Sequence, residues 1–308
     1  MALLNFKRKD KPAVTPVSPQ VEAFLQDYSI EVMPRTAEKV ENFRDLLPLG
    51  TRVYIAHIEG TSIDDMVGTA KRLNEDGYKV MPHFPARIIK DRATLADWIA
   101  RYQGEADVQQ ALLLAGGVEK PHGEFDSSMQ LMETGLFDEA GFTRLHVAGH
   151  PEGNRDIDAD GTMTNVSAAL KWKNEFQSRT DAQMAIATQF AFDAKPIIKW
   201  VDTLAAEGIT LPVHIGIAGP AKLQTLIKFA IACGVGPSLK VLQKRAMDVT
   251  KLLLPYEPNE VLAALAAHKA QNPDFNITNV HFFPLGGIKT NATWAIENGG
   301  AAAKPANA

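Results

Sequence analysis

Six of the eight histidines of this 308-residue chain (His57, His83, His146, His150, His214 and His281) fall in or at the ends of short β-rich runs. Glu31 interrupts the apolar segment Ser29-Ile30-Glu31-Val32-Met33-Pro34-Arg35. These residue types move protons or hold metals. Imidazole changes charge near neutral pH and is a common zinc ligand. A carboxylate within an apolar strand costs free energy unless it is hydrogen-bonded, paired or protonated. Kept protonated by a raised pKa, it would be a general acid; an ion pair with Arg35 or a lysine is the structural alternative. His146 and His281 read as satisfied core groups, whereas His57, His83 and His150 stand where a site is expected. Those three, on different strands, could also converge on zinc in a metal-dependent hydrolase or lyase, and sequence spacing leaves that reading open.

A repeating strand–helix pattern must position these groups. Strands are read at Ser29–Met33, Arg52–His57, Lys79–Phe84, Gln110–Gly116, Arg144–His150, Gln183–Phe190, Val213–Ala218 and Asn279–Leu285. Stretches with helical periodicity separate them. They include Ser62–Asp76, with Met66, Val67, Ala70 and Leu73 on one face, Thr94–Tyr102, and Ala194–Glu207, with Ile197, Trp200, Val201 and Leu204. Eight strands with helical crossovers predict an α/β fold of one domain, a closed (β/α)8 TIM barrel. The competing open, doubly wound sheet lacks a Gly-x-Gly-x-x-Gly turn after its first strand. The barrel is placed at residues 21–298, between flexible tails at 1–20 and 299–308 that can bury little apolar surface. In a barrel the C-terminal strand ends face the active site. Collected there are Glu31, His57, Glu59, His83, Gly116, Gly117, His150, Glu152 and Gln189.

Composition narrows the function. Net charge is −4, which gives no electrostatic footprint for nucleic acid. The single cysteine, Cys233, excludes a disulfide framework and a cysteine-based metal site within the chain; it follows an apolar run and reads as buried and inert. No run of about 18 apolar residues is present, so no membrane span is expected. Lys7-Arg8-Lys9 is followed by no apolar core, so a secretory signal is not expected and a cytoplasmic location is.

Several of these segments, in order, resemble the methylenetetrahydrofolate reductase family. Ser29–Arg35 resembles its first-strand motif, a glutamate followed by apolar residues, proline and arginine. Pro82-His83 resembles its third-strand Pro-His, and Ala148-Gly149-His150-Pro151-Glu152 its fifth-strand Ala-Ala-Tyr-Pro-Glu. Leu170-Lys171-Trp172-Lys173 is similar to its Leu-Lys-x-Lys helix, and Ala187-Thr188-Gln189-Phe190-Ala191-Phe192-Asp193 to its Ile-Thr-Gln-Phe-Phe-Phe-Asp. Gly216-Ile217 followed by Lys228-Phe229 resembles its seventh unit.

The resemblance implies a flavin-dependent oxidoreductase of one-carbon metabolism and methionine biosynthesis, interconverting 5,10-methylenetetrahydrofolate and 5-methyltetrahydrofolate with FAD as hydride carrier. It implies Glu31 as general acid at N10. His57, His83, Gly116, Gly117, Ala148, His150 and Lys173 would hold the flavin. Gln189 would hold the pterin, Phe229 the aminobenzoate ring and Lys289 the glutamate tail. NAD(P)H or an electron-donor protein would reduce the flavin, and a homo-oligomer is expected. The chain departs from the family at its fourth strand, where Leu114-Ala115-Gly116-Gly117 replaces Leu-Arg-Gly-Asp, and beyond the eighth, where Gly286-Gly287 replaces an arginine. These departures keep open a flavin-free folate-binding methyltransferase, or a partner subunit of one, on the same barrel.

Overall fold

The computed structural model describes residues 18–235, 239–247 and 254–301. Eight parallel strands close into one barrel in sequence order. They are β1 (Ser29–Val32), β2 (Arg52–Ile55), β3 (Lys79–Pro85), β4 (Gln110–Leu114), β5 (Arg144–Gly149), β6 (Gln183–Thr188), β7 (Val213–Ala218) and β8 (Ile277–Phe283). Closure is the pairing of Ser29 with His281 and of Ile30 with Phe282. Most strands end one or two residues earlier than the sequence suggested. His57 and His150 therefore lie just past β2 and β5, while His83, His146, His214 and His281 lie on strands.

The described helices are α1 (Pro19–Phe24), α2 (Pro34–Ala37), α3 (Ile63–Glu75), α4 (Arg92–Ala106), α5 (Ser128–Glu133), α6 (Leu136–Glu139), α7 (Thr164–Phe176), α8 (Ala194–Ala206), α9 (Leu223–Ala232), α10 (Leu239–Met247), α11 (Asn259–Gln271) and α12 (Ile288–Glu297). Helix starts follow local chemistry. Ser62, Asp91 and Asp193 accept hydrogen bonds from the first-turn amides of α3, α4 and α8. No helix among the described residues is long and apolar enough to cross a membrane. Pro19 and Gln20 open α1, and Ala301 bridges to Gln26, so both ends of the barrel take in residues that composition had assigned to tails. The rest of those segments, 1–17 and 302–308, lies outside the described residues.

Strand alternation divides the core. Ile30, Val32, Val53, Ile55, Val80, Leu113, Val147, Ile186 and Ile215 face the helices. The inward face carries more polar groups than a usual branched-aliphatic barrel interior. Near the N-terminal ends Arg52 donates to Gln110 (3.1 Å), and Arg144 donates to Gln183. Above them Tyr54 packs with Met81, Leu112 and Ala187. The Tyr54 hydroxyl lies 2.5 Å from His146 Nδ1, and the His146 and His214 rings meet edge to face at 4.6 Å. Burial pushes both imidazoles well below their usual pKa of 6.5, so both are neutral at pH 7.

Candidate functional site

A cavity of about 760 Å³ opens at the C-terminal ends of the strands, within the usual range for small-molecule sites. Glu31, His57, His83, Gly116, Gly117, Gln189 and Phe229 all line it. Barrel geometry brings them together from β1, β3, α9 and the loops after β2, β4 and β6.

Glu31 stands on the inward face of β1. Its Oε2 lies 3.3 Å from His83 Nε2 and 3.9 Å from His281 Nε2. Ser29 Oγ lies 2.9 Å from His281 Nδ1. A hydroxyl donating to Nδ1 leaves the imidazole hydrogen on Nε2, aimed at Glu31; we assign that tautomer from the network. Burial alone would raise the Glu31 pKa. The neighbouring imidazoles of His281 and His83 outweigh it and hold the value at about 2. The sequence reading of a protonated acid is corrected: the resting side chain is a carboxylate. Arg35 is exposed, and the partners of Glu31 are the two histidines. His281 is buried, as a core reading requires, yet it also braces the carboxylate.

His57 stacks on Trp98 at 4.9 Å and donates from Nε2 to the Thr61 carbonyl (3.1 Å). Its buried Nδ1 has no protein partner. Burial pushes its pKa down to about 4, with the Thr61 carbonyl opposing and His83 adding to the shift. Gly116 has φ +97°, and a Cβ there would come within 3.0 Å of Pro85 Cβ. Next to it Gly117 leaves open space, with no atom within 4 Å of a notional Cβ. Gln189 spends part of its acceptor capacity on the Phe190 amide (3.0 Å), which leaves its Nε2 to donate. Phe229, Phe190, Phe283, Leu285 and Cys233 form an apolar wall. Cys233 is half-buried and borders the cavity, so the reading of a buried residue is corrected; burial raises its thiol pKa, which keeps it unreactive.

Four expected ligand contacts stand apart from this cavity: Ala148, His150, Lys173 and Lys289. Lys173 is buried against β5 and donates to the Ala148 carbonyl (3.3 Å); burial lowers its pKa to about 8. His150 borders a small side pocket that shares Gln189, Phe190 and Cys233 with the main one. Burial, and then the Lys173 charge, lower its pKa to about 4. Lys289 is exposed in the first turn of α12. His150 lies just past the end of β5 at Gly149, while Lys173 and Lys289 stand on the helices α7 and α12 rather than on strands. Among the described residues no three His, Cys, Asp or Glu side chains form a metal-holding group, so His57, His83 and His150 do not converge as zinc ligands.

The flavin implied by resemblance can be tested against these residues. The unpartnered His57 Nδ1 and the space above Gly117 suit the edge of a neutral heterocycle. The diphosphate of FAD finds no match: among the described residues no lysine or arginine lines the cavity, which carries the carboxylates Glu31 and Glu59. Phosphates are held by cations or clustered N–H donors. The residues present therefore do not fit FAD as a whole.

No family model matches the chain. Among solved structures, it is similar to an uncharacterized protein from Clostridium thermocellum that binds two copies of 5-methyl-5,6,7,8-tetrahydrofolic acid. That likeness has a TM-score of 0.54 at 10% identity, covering 91% of this chain and 97% of that one. It is also similar to the virulence factor SghA, solved with its substrate analog salicin, with a TM-score of 0.50 at 9% identity, covering 94% and 100%. At such identities the likeness establishes the fold, a single (β/α)8 barrel.

Proposed function

We propose that the cavity binds a reduced folate and that the chain is an enzyme interconverting its methylene and methyl forms. The observation that carries this reading is a carboxylate, Glu31, fixed between two imidazoles on the floor of a cavity walled by Gln189 and Phe229. A folate offers matching chemistry: a bicyclic pterin with an amide-like edge, an aminobenzoate ring and an acidic tail. Gln189 Nε2 donates to the pterin, and the Phe229 ring packs on the aminobenzoate. Glu31, ionised at rest, takes a proton from N10–H as the five-membered ring closes, and returns it to N10 as the ring opens. The two electrons of the interconversion would be carried as hydride by a nicotinamide or flavin that binds exchangeably, leaving oxidised in the reducing direction and reduced in the other. The ordered motifs shared with the reductase family support this reading, and so does the methyltetrahydrofolate bound by the Clostridium thermocellum neighbour.

The test is calorimetric titration of the purified chain with 5-methyltetrahydrofolate. Stoichiometric binding, weakened about tenfold or more by Phe229→Ala, is expected; no binding to wild type overturns the reading. A second reading, a folate-binding methyltransferase or its partner subunit, is favoured by the absence of a cation for FAD in the cavity. Methyl transfer from 5-methyltetrahydrofolate to an added thiol without any redox donor would select it.

A further inference from the structure

The charges around the cavity are one-sided. Glu31 is an ionised carboxylate with a side-chain exposure of 17%. Glu59 lines the mouth and meets His122 at 3.1 Å. Two cations close to the strand ends are held by other groups. Lys173 is 7% exposed and donates to Ala148, and Arg87 pairs with Asp126 at 2.9 Å. His57 is uncharged at neutral pH. Across the cavity from the β2–β4 edge, α12 opens at Gly287, with the exposed Lys289 in its first turn. An anionic arm would meet attraction there, from the helix N-terminus and Lys289.

We infer that this cavity selects by charge: it admits a neutral or cationic heterocycle, leaves the phosphate or carboxylate arm of a ligand outside, and does not retain a dinucleotide flavin. The identity of the heterocycle rests on the folate reading above; the selection does not. A diphosphate near the β2–β4 edge would face Glu31 and Glu59 with no lysine or arginine among the described lining residues, and like charges repel appreciably in a partly buried site. The acidic tail of a folate escapes this penalty, because it can leave toward α12.

The experiment uses the full purified chain. It is denatured and the released chromophore is measured; the native protein is then titrated with riboflavin and with FAD, following flavin fluorescence at low and high salt. No stoichiometric FAD is expected, and riboflavin should bind about tenfold or more tighter than FAD at low salt. The gap should narrow at high salt and in Glu59→Gln. Binding of neither flavin leaves no charge selection and overturns the inference. Stoichiometric FAD on the purified chain, or FAD binding tighter than riboflavin, overturns the inference. Failure of 5-methyltetrahydrofolate to bind while the flavin ranking holds sinks the folate reading alone.

Discussion

Glutamine at position 31 keeps the shape of the side chain and removes its charge, so Glu31→Gln measures what the ionised carboxylate contributes. Folding lowers its pKa from 4.5 to about 2. One pKa unit is about 1.4 kcal/mol, so the charged form stabilises the fold by about 3 kcal/mol. Because the folded value is depressed, this stabilisation is complete above 4.5 and is lost as pH falls through about 2. The variant should thus be less stable than wild type by about 3 kcal/mol at pH 7, with the gap shrinking to roughly half by pH 3. Urea unfolding of both proteins at a series of pH values, followed by far-ultraviolet circular dichroism, reads the gap directly. A gap that does not change with pH would refute the reasoning. So would a variant as stable as wild type at pH 7, because a carboxyl already protonated loses nothing on becoming an amide. That result would restore the general acid that the apolar strand by itself suggests.

Three further predictions follow the same physics. Burial lowers Lys173 from 10.5 to about 8, so its charge is a cost below pH 8 that lifts as pH rises toward 10.5; Lys173→Met should be more stable at pH 7 by about 1–3 kcal/mol, with the advantage fading by the upper limit. Burial lowers His57 from 6.5 to about 4, so stability is complete above 6.5 and falls as pH drops toward 4; His57→Gln should flatten that part of the stability–pH curve, and an unchanged curve would mean His57 is solvated. Gln189→Ala should weaken 5-methyltetrahydrofolate binding by about 1 kcal/mol, roughly fivefold, and calorimetry showing equal affinity would remove the amide from the pterin.

Much of this protein was legible in its sequence. Parallel strands buried on both faces read as short apolar runs, helices read through their 3.6-residue period, and both signals are local. Eight such pairs imply closure, and closure implies that the C-terminal strand ends share one rim. Glu31, His57, His83, Gly116, Gly117 and Gln189 could be placed at one rim on that basis, Phe229 only through the family resemblance, and all seven line one cavity. The ordered motifs, which are also local strings, carry the resemblance on which the folate proposal rests. What the tertiary structure alone decided depends on groups far apart in the chain. Ser29 and His281 are 252 residues apart and meet because β8 closes on β1. That contact orients an imidazole toward Glu31 and turns an expected acid into a carboxylate. Packing between elements likewise placed Lys173, on α7, against the Ala148 carbonyl of β5 and not at the cavity. That no lysine or arginine among the described residues lines the cavity is likewise a sum over side chains from many elements, each turned by its own packing, which no single segment of sequence records.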